Sequence, residues 1–190
     1  MPKKAQTLSA EDRRRAGHRE ILGETYAKIE FFEKGWNPYT RFLDVDKVDM
    51  ILRKRDKKRL IYREVQVKYI KLWLLTPSQE GGLFDLTSWR FFREDEFDAF
   101  LDHSDFFITL ILAADTGYRD DIFIFPVRDF VRLIRLGIPS GGKQKFMICR
   151  SRQDSSKWYL RRVYRVDKIT PDSTVDVSSF RRNFTVLNPP

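Results

Sequence analysis

Tyr62-Arg63-Glu64-Val65-Gln66-Val67-Lys68 is the stretch whose reading decides the fold of this chain. Successive side chains of a strand point to opposite faces, so Glu64, Gln66 and Lys68 project together while Val65 and Val67 turn into a core. Just upstream, Val48-Asp49-Met50-Ile51-Leu52 has the composition of a second strand, and the charged run Arg53 to Arg59 supplies a turn between the two. A two-residue loop at Asp56 and Lys57 sets Asp49 opposite Glu64, whereas a four-residue loop sets it opposite Gln66. Either register gathers Asp49, Gln66 and Lys68 on one face. A carboxylate, a second oxygen ligand and a lysine on a rigid hairpin are the groups that metal-assisted phosphodiester hydrolysis uses.

Outward from the hairpin, Ser9-Ala10-Glu11-Asp12 reads as a helix start with acids in its first turn, and Lys34-Gly35 as its stop. Between them Ile21, Leu22, Tyr26, Ile29 and Phe32 recur at three and four residues, which predicts an amphipathic helix packed on a sheet by that face. Glu20 and Glu24 are four apart and share a face. On the C-terminal side, Ile70 to Leu75 continues apolar, Thr76 to Gly82 is a loop, Leu83 to Leu86 a short strand and Glu94 to Leu101 a short helix. Phe106 to Leu112 is a buried strand paired with Asp121 to Pro126, and Val127 to Leu136 has helical spacing. Lys145 to Arg150 and Trp158 to Val166 form an antiparallel pair, and Val177 to Phe184 a closing helix.

The hairpin, the leading Gly23-Glu24 helix, the junction Lys34-Gly35-Trp36-Asn37 and the Val48-Asp49-Met50 strand, in this order, resemble the PD-(D/E)XK restriction-endonuclease-like superfamily. The resemblance is to the branch in which glutamine takes the second acidic position, giving a Gln-x-Lys (QVK) ending. It implies an α/β (α+β) fold, a mixed central sheet flanked by helices, and a divalent-metal-dependent nuclease acting on DNA. By the same resemblance Asp49 is the principal ligand of a magnesium or manganese ion, Gln66 a second ligand through its amide oxygen, and Lys68 the catalytic cation. Glu24 matches the first-helix glutamate that completes the metal shell, with Glu64 and Glu20 as auxiliary acids. Two positions depart from the pattern. Val48 replaces the proline of the motif, and Gln66 replaces a carboxylate, which removes a full negative charge from the metal site.

Composition agrees with a polyanion as partner. The chain has 190 residues, 42% hydrophobic and 14% aromatic, enough for one core. Lys and Arg outnumber Asp and Glu by 36 to 27, for a formal charge of +9, which favours DNA. Arg53 and Lys54 in the hairpin, and Arg161 and Arg162 beside Trp158, Tyr159 and Tyr164, are the basic clusters set to meet phosphates. The single Cys149 and two histidines exclude a disulfide framework and a Cys/His zinc site. No apolar run is long enough for a transmembrane helix, and the N-terminus lacks a signal-like apolar segment, so a cytoplasmic protein without a membrane partner is expected. The organisation expected is a flexible N-terminus at 1–10 and one domain at 11–190, with a core at 17–136 and a small β-rich extension at 143–190. Nucleases of this kind often dimerise, which leaves a homodimer open. Two other functions fit the residues. One is a nuclease-like nucleic-acid-binding module without catalysis, which Gln66 permits. The other is an interaction protein of a defence or mobile-element system, with Trp73, Trp89 and Phe91 as its partner surface.

Overall fold

The apolar residues after Lys68 carry the decisive strand onward. In the computed structural model, which describes residues 9–40, 47–57, 59–165 and 168–189, strand β3 runs unbroken from Arg59 to Leu74. Its 16 residues extend about 54 Å at 3.4 Å per residue, too long for one set of neighbours, and two sheets share it. Before it come helix α1 (Ala10–Glu33), β1 (Asn37–Thr40) and β2 (Met50–Asp56). After it come β4 (Phe84–Phe92), β5 (Phe106–Ala114), β6 (Gly117–Pro126), helix α2 (Val127–Arg135) and β7 (Ile138–Ser140). Strands β8 (Lys143–Ser151), β9 (Trp158–Arg161) and β10 (Thr174–Asp176) close the fold.

The class is α+β, with a mixed sheet that is antiparallel except where β3 meets β5. That parallel pair runs from Glu64↔Phe106 to Lys71↔Ala113. The other edge of β3 is divided. Strand β2 pairs with its first part, from Asp56↔Arg59 to Met50↔Val65, and β4 with its last part, from Leu72↔Ser88 to Leu74↔Leu86. From β4 the second sheet continues through β8, β9 and β10, with β7 beside β8.

In its middle, β3 is covered on both faces. Val65 and Val67 pack with Ala27 and Phe31 of α1 and with Phe107 and Ile111 of β5. On the other face Ile70 and Leu72 join Ile108, Leu110, Phe125, Phe130 and Phe146 beneath α2. That core is rich in edge-to-face ring pairs, such as Phe92 with Phe130 and with Phe146, a geometry favoured by the ring quadrupole.

Several expectations need correction. Helix α1 forms as read, with Ser9 Oγ accepting from the Asp12 N–H, but its sheet-facing side is different. Ile21, Ile29 and Phe32 are exposed, while Gly23, Ala27 and Phe31 are buried. A Cβ on Gly23 would lie 3.0 Å from Tyr69 Cβ, so close approach of helix to strand selects small residues rather than the bulky stripe. Leu83 to Leu86 is the start of a much longer strand, β4, and Glu94 to Leu101 holds only a 3-10 turn at Asp98–Phe100. The closing helix at Val177 to Phe184 is not formed. Two 3-10 turns, Ser178–Phe180 and Phe184–Leu187, stand there. Residues 143–190 are not an extension either, since β8 pairs with β4 along its length and thereby builds half of the second sheet. Strand β1 ends at Thr40, and residues 41–46 lie outside the described residues, as do most of the expected flexible residues 1–10.

The chain end is tied back to the first sheet. The buried Arg63 donates from Nε to the Leu187 carbonyl at 2.8 Å and from Nη1 to Asp105 at 2.5 Å. Arg182 pairs with the buried Glu30 of α1 at 3.1 Å, and Tyr118 Oη donates to the same carboxylate at 2.6 Å. No helix among the described residues is long and apolar enough to cross a membrane.

Candidate active site

The site is built by the divided edge of β3. Odd-numbered residues of the strand turn their backbone groups toward β2 and β4, and between Val65 and Leu72 neither strand supplies ladder partners. Exposed backbone groups of that kind must be satisfied in another way, and side chains do it. Asp49, one residue before β2, donates its own N–H to the Val65 carbonyl at 3.0 Å. Its carboxylate accepts the Val67 N–H at 2.6 Å. Farther along, Arg90 Nη1 donates to the Tyr69 carbonyl at 3.3 Å and Ser88 Oγ to the Lys71 carbonyl at 2.9 Å. The gap is therefore edged by Asp49 at one end and by Ser88 and Arg90 at the other.

The hairpin register decides between the two alternatives. Strands β2 and β3 pair out to Asp56↔Arg59, so the chain turns after Asp56, with Lys57 in the left-handed region at φ 51°. This register continues to Asp49 beside Gln66, one turn position later than a loop at Asp56 and Lys57 gives.

Gln66 is 5% exposed, beside the wholly buried Ile108 of β5. Its Oε1 is buried without a hydrogen-bond partner. An unsatisfied buried amide oxygen costs about 1–3 kcal/mol, and a native structure that retains one calls for a reason. The burial also rules out an exposed, solubilising face on this part of the hairpin.

Lys68 follows on the same face. Burial is the largest influence on its ammonium and holds its pKa below the ordinary 10.5, opposed by the Asp49 charge and reinforced by Arg90. Glu96 and Glu20 also act on it, in the direction of Asp49. Lys68 lines a cleft of about 250 Å³ together with Val67, Tyr69, Arg90, and Ala16, Arg19 and Glu20 of α1. Asp49 and Gln66 do not line that cleft. They adjoin it through Val67 and Lys68.

Of the other expected residues, Glu20 lines the cleft and Glu24 pairs with Lys28 along the helix at 3.8 Å. Glu64 is half-buried, across from Ile51. Arg53 is half-buried and donates to the Tyr39 hydroxyl at 3.3 Å, and Lys54 Nζ lies 5.3 Å over the Trp36 ring. Arg161 is 1% exposed and donates to the Tyr164 carbonyl at 2.8 Å, so it supports the surface from beneath rather than standing on it. Arg162 is exposed and donates to the Asp172 carbonyl. Arg19, Arg90 and Glu96 were not found by sequence reading. They come from α1, from β4 and from the segment after it, and no local pattern relates them to Lys68.

Among the described residues there is no group of three His, Cys, Asp or Glu side chains able to hold a metal ion. The oxygens on hand are the Asp49 carboxylate, the unpartnered Gln66 Oε1 and the Glu20 carboxylate at the cleft.

No protein-family model matches the chain, and no curated protein is a significant match. Among solved structures, the chain is similar to the bacterial homing endonuclease I-Ssp6803I, at 15% sequence identity over 68% of this chain and 76% of that one, with a TM-score of 0.37.

Proposed function

We propose that this chain is a divalent-metal-dependent nuclease of the PD-(D/E)XK restriction-endonuclease-like type that hydrolyses phosphodiester bonds of DNA, centred on Asp49, Gln66 and Lys68. The observation that carries the reading is the gap in the edge of β3. At it stand a carboxylate fixed by a backbone N–H, a buried amide oxygen lacking a partner and a desolvated lysine.

A bound magnesium or manganese ion supplies Lewis-acid polarisation of a phosphoryl oxygen and lowers the pKa of a coordinated water. Asp49 and Gln66 would hold it, with Glu20 reaching from α1. Two carboxylates and one amide oxygen suit magnesium, which keeps several waters and takes few protein ligands, and the unpartnered Gln66 Oε1 is an oxygen that such an ion satisfies. The chain's own residues divide the rest of the work. The Val67 N–H fixes the Asp49 carboxylate in position. Lys68 stabilises charge that develops on the phosphoryl oxygens or orients the attacking water, and burial strengthens its field there. Arg19 and Arg90, on the two walls of the cleft, attract the flanking phosphates.

A second reading, a nucleic-acid-binding module without cleavage, is favoured by the Asp49 carboxylate already engaged by the Val67 N–H and by there being, among the described residues, no group of three His, Cys, Asp or Glu side chains to hold an ion. The deciding experiment is cleavage of supercoiled plasmid and of single-stranded DNA with magnesium or manganese, comparing wild type with Asp49→Ala and Lys68→Ala. Metal-dependent nicking by the wild type, reduced at least about a hundredfold in both variants, is expected. Folded wild-type protein that shifts DNA in a gel and cuts none with either metal would transfer the assignment to the binding module.

A further inference from the structure

Beyond the gap, β3 delivers Lys71 and Trp73 to the outer face of the second sheet, where they meet Trp89 of β4, Lys145 of β8 and Tyr164. Trp73 and Trp89 are 44% and 40% exposed, unlike Trp36 and Trp158, which are buried. Each exposed indole carries a cation. Lys71 Nζ lies 4.0 Å from the Trp73 ring centre, and Lys145 Nζ lies 4.5 Å from both the Trp89 and Tyr164 rings. Lys145 is itself buried and donates to the Tyr164 hydroxyl at 3.0 Å. Solubility does not require any of this, because a lysine serving hydration stays in water.

The two indoles border a groove of about 320 Å³, floored by Met147 and Arg161. None of the described residues lining it is acidic. Lys71 pairs with Asp115 at 2.8 Å at the margin of this face, while the groove itself joins aromatic rings to cations, which is complementary to a chain of phosphates bearing flat bases. Duplex DNA keeps its base faces stacked inside and offers only its backbone to such a platform. An unpaired strand offers both.

We infer that this face binds single-stranded DNA by stacking bases on Trp73 and Trp89, whose rings are backed by Lys71 and Lys145. The strand would continue into the cleft, since Lys68 and Trp73 are five positions apart on β3, about 17 Å at 3.4 Å per residue. The continuation rests on the nuclease reading, but the stacking surface does not.

The test is fluorescence anisotropy of labelled oligo-dT, of a blunt duplex of equal length and of oligo-U, with a chelator present so that nothing is cut, alongside tryptophan quenching. Wild type is expected to prefer oligo-dT and to show quenching. Trp89→Ala and Trp73→Ala should each weaken that binding about tenfold, Trp89→Phe should retain most of it, and circular dichroism should show all three folded. Arg132→Ala, an exposed charge on α2, should bind as wild type does. Unchanged binding in both alanine variants overturns the inference, as does a duplex bound as tightly as oligo-dT without quenching. Tighter binding of oligo-U overturns the assignment to DNA, and self-association lost in Trp89→Ala with oligo-dT binding intact makes the face a protein interface instead. Stacking intact in a protein that cuts nothing removes the nuclease reading alone.

Discussion

Lys68 is held in an environment that disfavours its charge, and the consequence for stability has a definite sign. Its folded pKa is below the unfolded value, with burial as the main cause. The penalty is therefore complete below the folded value, and it fades as pH rises toward the ordinary 10.5. Lys68→Met should melt above wild type at pH 7, and the gap should close as the pH is raised toward that value. A differential-scanning series across pH measures it, and a constant gap would contradict it. Stability yielded to hold a charged group at a site is a common trade. Gln66 gives the complementary case. Gln66→Glu places a carboxylate among apolar neighbours, so its Tm without metal should fall by several degrees, and magnesium should restore it by more than it raises the wild type. Equal magnesium shifts in the two proteins would argue against an ion at Gln66. That Asp49, Gln66 and Lys68 come together on one hairpin was legible in the sequence, because a strand's period of two is read directly from spacing. Arg19, Arg90 and Glu96 were not, because their meeting depends on β4 returning to the same edge of β3, and a non-local pairing leaves no mark in the local sequence.

At the level of elements, helix α1 shows that one substitution can have opposite signs at two positions. A Cβ at Gly17 meets nothing within 4 Å, so Gly17→Ala should stabilise by about 0.5–1 kcal/mol through helix propensity. At Gly23 the nearest atom is Tyr69 Cβ, at 3.0 Å. That atom is anchored to the central strand and cannot rotate away, so the helix must shift, and crowding of about 1–3 kcal/mol outweighs the propensity gain. Gly23→Ala should therefore melt below wild type and Gly17→Ala above it. The same contact explains why the helix face was misread. Periodicity weights bulky apolar residues, but close packing against β3 is made by Gly23 and Ala27, leaving Ile21, Ile29 and Phe32 outward. Strands β5 and β6 and helix α2 were legible because their apolar runs are unambiguous in length and composition. Strand β4 was underestimated because Ser88, Trp89 and Arg90 do not look like a core strand, and only pairing with β8 makes them one.

For the molecule as a whole, the last turn acts as a fastener. Removing residues 184–190 deletes Leu187, which is fully buried, and takes away the carbonyl that accepts from Arg63 Nε. Arg63 keeps its ion pair with Asp105, but a buried N–H left without its acceptor costs about 1–3 kcal/mol on top of the lost burial of Leu187, so the truncated chain should unfold at markedly lower urea with one cooperative transition still present. Two separate transitions would mean that the two sheets are independent units, contrary to their sharing β3. That shared strand also bears on synthesis. The ribosome completes β3 at Leu74, yet β4 begins ten residues later, at Phe84, and β5 only at Phe106. For that interval the most apolar strand of the first half has one edge fully open and the other half covered, which is a template for intermolecular pairing. The nascent chain thus passes through a window of aggregation hazard set by the order of its strands, and slower translation between residues 75 and 114 would lengthen its exposure.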